Sequence, residues 1–127
     1  MHLRDALLSG LAAMLLHEMG HIAAALTLKV KIYQIGIRWK GAYIRRQFGT
    51  ARQNLIITVA GPGINLWLAL LFYRISPNFA LCNLVIGVTN LLPIPASDGS
   101  RALDLIGKWV KPVHVGRHKP DPQLHRS

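Results

Sequence analysis

The segment that decides the fold is residues 6–28, ALLSGLAAMLLHEMGHIAAALTL, in which Glu18 is the only charged residue among 23. A helix of about 20 apolar residues is long enough to cross the hydrocarbon core of a bilayer. Ionisable groups at that depth are costly, roughly 2.5 to 3.5 kcal/mol each even on the most lenient insertion scale. The sequence therefore predicts a membrane span whose polar groups, His17, Glu18 and His21, are there for a functional reason.

Two further apolar runs, residues 55–73 and 79–97, contain 19 residues each and no charged side chain. Pro93 and Pro95 end the regular helix of the second run near Leu92, because proline cannot continue a helix. We therefore expect three membrane spans at about residues 6–28, 55–73 and 79–95. The chain is 51% apolar and 16% charged, whereas soluble domains have about 25% charged residues. This composition disfavours a soluble enzyme.

The basic residues lie in two blocks outside the predicted spans. The chain has 15 Lys and Arg against 5 Asp and Glu, a formal net charge of +10. Seven of the basic residues lie in residues 29–52 and six in residues 101–126. Basic loops stay on the cytoplasmic side, so we predict a multi-pass protein of a prokaryotic plasma membrane with its N-terminus outside and its C-terminus inside. Its partner is the lipid bilayer, and nucleic acid is not an expected partner.

The segments between and after the spans also carry patterns. Residues 30–48 alternate apolar and polar side chains around Lys40 and Gly41, which predicts a β-hairpin with a bulge between Ile32 and Ile35. Residues 102–110 have apolar side chains at helical spacing, which predicts a short interfacial helix. The predicted fold is mainly α and integral to the membrane, with one core of residues 1–110 followed by a flexible basic tail, residues 111–127.

His17 and His21 are four residues apart and therefore lie on one face of a helix, where both imidazoles can bind one metal ion. Glu18 lies about 100° further round the helix, within reach of a water on that ion. This is the HExxH arrangement of zinc hydrolases. A catalytic zinc site needs a third protein ligand. Asp5 is excluded because it lies roughly 18 Å from His17 along the same helix, so Asp98 and Asp104 remain, with His114, His118 and His125 less favoured.

Asp98 is the better candidate because it follows a span that ends on the same side of the membrane as the His pair. Pro93, Pro95 and Gly99 also let the backbone turn inward beside it. Asn65 and Asn90 lie within the second and third spans. Either amide would suit a hydrogen bond to a substrate carbonyl, and a hydrogen bond between helices is an equally good alternative.

The motifs resemble those of the site-2 protease family of intramembrane zinc metalloproteases. The likeness is carried by residues 17–21 (HEMGH), 60–65 (AGPGIN) and 90–99 (NLLPIPASDG), in this order. The resemblance implies zinc held by His17, His21 and Asp98, with Glu18 as the catalytic residue. It also implies a core of three transmembrane helices and a small sheet that aligns substrate. Ser97 and Ser100 depart from the family pattern, in which leucine and glycine are common.

The function we predict is zinc-dependent hydrolysis of peptide bonds in membrane-spanning protein substrates, with Glu18 as general base. The alternative is a non-catalytic membrane scaffold or binding protein that keeps the same fold and metal site. A metal transporter ranks last, because its ligands would be spread along a path through several helices. The sequence carries no signal for the oligomeric state.

Overall fold

The computed structural model describes residues 2–39 and 41–110. In chain order its elements are α1 (Leu3–Thr27), β1 (Ile32–Arg38), β2 (Gly41–Arg46), α2 (Ala51–Phe72), α3 (Pro77–Leu91) and α4 (Asp98–Val110). The fold is mainly helical with one two-stranded antiparallel sheet. The predicted tail, residues 111–127, and the Lys40 half of the predicted turn lie outside the described residues.

The two longest helices, α1 and α2, have 25 and 22 residues and are apolar enough to cross a membrane. They correspond to the first two predicted spans. The third predicted span is wrong in length, because α3 has only 15 residues, from Pro77 to Leu91. The described chain therefore has four helices, two of which are long enough to span a bilayer.

The end of α3 is set by its sequence. Leu92 has extended backbone angles, and Pro93 and Pro95 follow it. At about 1.5 Å per residue, α3 is roughly 22 Å long, which is shorter than the hydrocarbon core of about 30 Å. The chain then turns at Ala96, which has a φ of 70°, and enters α4.

The interior of the bundle combines small apolar residues with buried polar side chains, and its outer surface is apolar. α2 packs against both α1 and α3, and its side chains Asn65 and Pro62 are almost fully buried, as is Asn83 of α3. Large apolar side chains face outward instead, such as Leu7 at 65% and Leu70 at 72% exposure. Outward apolar and inward polar side chains are expected when lipid is the solvent, since a polar group finds partners only inside the bundle. The arrangement agrees with a membrane protein.

The predicted hairpin is present as β1 and β2. Their register pairs Ile35 with Ile44 and Arg38 with Gly41, and it shifts between Ile32 and Gln34. The shift confirms the predicted bulge. The hairpin is anchored to the amino-terminal end of α2, where Arg46 Nη1 donates to Oδ1 of the buried Asn54 over 2.6 Å.

The predicted short helix at residues 102–110 begins four residues earlier than expected, since α4 starts at Asp98. The amide of Ser100 donates to the Ser97 hydroxyl over 3.1 Å, so a side chain satisfies one of the free N–H groups of the first turn. Asp98 itself lies in this turn, where a negative charge is favoured by the helix dipole. The helix start therefore fixes the position of this carboxylate.

Candidate metal centre

Three side chains from two distant parts of the sequence meet inside the bundle: His17 and His21 of α1, and Asp98 at the start of α4. The Nε2 atoms of the two histidines are 3.2 Å apart. Oδ2 of Asp98 lies 3.1 Å from each of them. His17 and Asp98 are buried, at 5% and 7% exposure, and His21 is partly buried.

The His21 ring is positioned by backbone atoms of α2. Its Nδ1 donates to the carbonyl oxygen of Ile57 over 2.7 Å. A carbonyl oxygen can only accept, so Nδ1 carries the ring proton and Nε2 keeps its lone pair. The ring also lies against Gly61, where a Cβ atom would collide with Nε2 of His21. Gly61 therefore leaves the space that this imidazole occupies.

The His17 ring is positioned by a side chain of α2. Its Nδ1 donates to Oδ1 of Asn65 over 2.8 Å, which leaves the lone pair of Nε2 directed at His21 and Asp98. Metal-binding histidines commonly donate the other ring N–H to an oxygen in this way, because the bond fixes the tautomer and the ring orientation.

The close approach of α1 to α2 depends on a second glycine. A Cβ atom on Gly20 would lie 2.8 Å from the carbonyl oxygen of Ala60 and 3.1 Å from Cα of Gly61. Small residues of this kind let two helix backbones approach closely within a membrane. The AGPGIN segment of α2 therefore packs closely against α1 at this point.

The donor atoms fit a zinc ion. Nε2 of each histidine and Oδ2 of Asp98 are 3.1–3.2 Å apart, so their lone pairs can all be directed at one cation between them. Ligands about 2.0–2.1 Å from zinc at tetrahedral angles are about 3.3 Å apart. Two imidazoles and one carboxylate are also a common ligand set of catalytic zinc sites. The residues present therefore suit the metal that the sequence predicts.

The charges around the site are set by burial and by neighbouring cations. Asp98 is buried, and the rings of His17 and His21 lie beside its carboxylate. Arg101 Nη1 is 3.8 Å from Asp98 Oδ1 at the outer edge of the site. Burial, together with the positive charge of Arg101, lowers the pKa of Arg46.

The other predicted residues lie as follows. Glu18 is partly buried on α1 directly after His17. Asp104 is exposed on α4 and is not one of the three converging residues. Nδ2 of Asn90 donates to the carbonyl of Ile86 on its own helix over 2.9 Å. His114, His118 and His125 lie outside the described residues.

Asn65 has no free N–H group for a substrate. Its Nδ2 donates to the carbonyl of Ala13 over 3.0 Å and to Oδ1 of Asn83 over 2.9 Å, and its side chain is fully buried. These contacts favour the alternative of a hydrogen bond between helices. Asn83 was missed by sequence reasoning. An amide in an apolar run was the available signal, since a polar group inside a membrane protein needs a partner.

No protein-family model and no curated protein sequence matches the chain. Among solved structures, it is similar to a site-2 protease from Methanocaldococcus jannaschii, with a TM-score of 0.69 and 25% sequence identity. The match covers 80% of this chain and 53% of that protein. Over the matched residues, the fold is similar to that of this site-2 protease. The chain spans about half the length of this neighbour.

Proposed function

We propose that the protein is an intramembrane zinc metalloprotease that hydrolyses peptide bonds of membrane-spanning substrates. The observation that carries the proposal is the convergence of His17, His21 and Asp98 at the mutual distances of zinc ligands, with Glu18 beside them. The similarity to a site-2 protease supports a protease at the level of the family.

The ligands would be Nε2 of His17, Nε2 of His21 and the carboxylate of Asp98. A bound zinc ion supplies Lewis-acid activation of water and of a peptide carbonyl. Glu18 accepts the proton of the attacking water and delivers it to the leaving nitrogen, as a general base and then a general acid. The Nδ1–H groups of His17 and His21 donate to Asn65 and to the Ile57 carbonyl, so that each ring directs its Nε2 at the site.

We propose that α1, α2 and α3 all lie in the membrane and that the short length of α3 serves the site. Asn65 bonds to both Ala13 and Asn83, which places those two residues at one level of the bundle. Leu91, the last residue of α3, is eight residues beyond Asn83, and His21 is eight residues beyond Ala13. A helix that ends about 12 Å beyond Asn83 therefore stops at the depth of the histidines, where the loop can return Asp98 to them.

This arrangement gives a proposed topology with the N-terminus outside and the C-terminus inside. The hairpin of β1 and β2 would then lie on the cytoplasmic side. Its unpaired edge could receive an extended substrate segment by strand addition. Such a segment is needed because the carbonyl groups of an intact substrate helix are already hydrogen-bonded.

The test compares wild type with Glu18→Gln after purification in detergent. Both proteins should bind about one zinc per chain, and only the wild type should cleave a transmembrane peptide. We expect cleavage to fall by at least about 100-fold in Glu18→Gln, since general acid–base catalysis contributes about 10² to 10⁴. Asp104→Asn, on the exposed face of α4, is the matched control and should cleave as wild type does.

Two outcomes would contradict the proposal. Zinc bound by His17, His21 and Asp98 without cleavage of several substrates would instead support the non-catalytic scaffold. A protein whose zinc content is unchanged by His21→Ala or by Asp98→Asn does not use these residues as ligands.

A further inference from the structure

A continuous chain of side-chain hydrogen bonds links α3 to the His17 ring through the buried interior. Asn83 Oδ1 accepts from Asn65 Nδ2 over 2.9 Å, and Asn65 Oδ1 accepts from His17 Nδ1 over 2.8 Å. The Asn65 and Asn83 side chains are both 0% exposed. Asn83 therefore reaches His17 only through Asn65.

The direction of every bond in this chain is set by two backbone carbonyl groups, which can accept but not donate. Phe79 accepts from Nδ2 of Asn83 over 2.9 Å, so the oxygen of the Asn83 amide must face Asn65. Ala13 accepts from Nδ2 of Asn65 over 3.0 Å. Both N–H groups of Asn65 are then used, and its oxygen must face His17.

We infer that Asn83 is a positioning residue that acts through Asn65 to keep the proton of His17 on Nδ1 and the lone pair on Nε2. The inference rests on the proposed metal site. The position of this proton matters because His17 has a competing tautomer. In that tautomer the proton is on Nε2 and could be donated to Asp98 Oδ2, 3.1 Å away. That state would block the lone pair that a metal ion needs.

Reversal of the Asn65 amide would be required for the competing state. Its oxygen would then face two acceptors, the Ala13 carbonyl and Oδ1 of Asn83, and both contacts would be repulsive. Asn83 supplies one of these two barriers to reversal. Outer contacts of this kind typically change metal affinity by about 10- to 100-fold when they are removed.

α3 offers a matched control for Asn83. Asn90 lies seven residues, about two turns, further along the same face of α3, and its Nδ2 also donates to the carbonyl four residues before it, that of Ile86, over 2.9 Å. The two asparagines thus share the same local bond, and only Asn83 also accepts from Asn65. A substitution that acts merely by removing an asparagine from α3 would affect both alike.

The first measurement uses the zinc-free full-length chain in detergent and reads the His17 tautomer from ¹⁵N-histidine NMR. The His17 signals are assigned by their loss in His17→Gln. Wild type and Asn90→Leu should show the proton on Nδ1, and Asn83→Leu should show a population with the proton on Nε2. Asn83→Asp retains an acceptor for Asn65 and should restore the wild-type signals. Asn83→Ala removes the acceptor without added bulk, in case the leucine variant does not fold.

The second measurement is zinc affinity in a double-mutant cycle. Asn83→Leu should weaken zinc binding about 10-fold, and Asn90→Leu should leave it unchanged. Once Asn65 is replaced by leucine, the further change Asn83→Leu should have no additional effect, because Asn83 has lost its route to His17. Additive losses would overturn the inference.

The tautomer measurement also separates this inference from the proposed function. Suppose that the wild-type protein binds no zinc, that its His17 proton is on Nδ1, and that Asn83→Leu loses this preference. The inference about Asn83 then holds, and the proposed zinc protease function fails. A His17 proton found on Nε2 in the wild-type protein overturns the inference about Asn83, whether or not the protein cleaves a substrate. Identical spectra for Asn83→Leu and Asn90→Leu overturn it as well.

Discussion

α1 and α2 each carry glycine in two different surroundings, one packed against a neighbouring group and one open. Gly20 and Gly61 lie on the inner face, where an added Cβ atom would collide with the neighbouring helix or with the His21 ring. Gly10 and Gly63 lie on the same two helices and have no atom within 4 Å of such a Cβ. Glycine is therefore required at the two packed positions, Gly20 and Gly61, and dispensable at the two open ones, Gly10 and Gly63.

This difference explains how His21 can be positioned without a hydrogen bond to another side chain of α2. His21 is held by the Ile57 carbonyl and by the space over Gly61, whereas His17 is held by the Asn65 side chain. Removing a hydrogen-bonding side chain can disturb His17 but not His21. The His21 ring is instead open to disturbance by an added methyl group.

The largest effect is expected from Gly61→Ala. The new methyl group would occupy the position of the His21 ring, so the ring must move away from the other two donors. We expect zinc affinity to fall by about 100-fold or more, as for the loss of correct ligand orientation. Titration of the purified protein with zinc against a competing chelator measures the change.

Gly63→Ala is the control for that substitution. It changes the same helix two residues away, and its methyl group meets nothing within 4 Å. Zinc affinity should remain at the wild-type value. Equal affinities in the two variants would show that the site does not depend on the space over Gly61.

A smaller effect is expected from Gly20→Ala, which tests the spacing of α1 and α2 rather than one ring. The methyl group would lie 2.8 Å from the Ala60 carbonyl oxygen, so the two helices must separate slightly. Overpacking of this kind costs about 1–3 kcal/mol. Reversible unfolding in mixed detergent should show this loss of stability.

Gly10→Ala should have the opposite sign or no effect. Alanine is favoured over glycine in a helix by about 1 kcal/mol, and Gly10 has open space around it. A loss of stability in Gly10→Ala equal to that in Gly20→Ala would remove the distinction between an open and a packed glycine of α1.

The spacing of the sequence was enough to predict which donors converge. His17 and His21 lie on one helical face whatever the rest of the fold, and the depth argument from the third apolar run favoured Asp98 over Asp104. The structure brings these three residues together. The bulge between Ile32 and Gln34 could also be predicted, since a change in alternation requires an extra residue in one strand.

The parts that sequence did not predict depend on contacts between helices. The predicted helix end near Leu92 is confirmed, but the apolar composition continues to Pro95, so hydropathy extended the third span beyond the end of α3. In the sequence, Asn83 is an isolated amide in an apolar run. Its role becomes visible only in the structure, where it accepts a hydrogen bond from Asn65. Gly61 and Gly63 are likewise equivalent in the sequence, and only the position of His21 separates them.

The smallest effect is expected at Lys29, a position whose backbone conformation suits glycine although another residue occupies it. Lys29, directly beyond α1, has a φ of 57°, and the amide of Val30 donates back to the Ala25 carbonyl over 2.8 Å. This is a helix end that glycine usually occupies, because the left-handed conformation costs other residues about 1–2 kcal/mol. Lys29→Gly should therefore stabilise the protein by about 1 kcal/mol relative to Lys29→Ala, which also removes the charge but keeps Cβ. Thermal unfolding of the two variants in the same detergent decides the matter, and equal stabilities would mean that the end of α1 carries no strain at this residue.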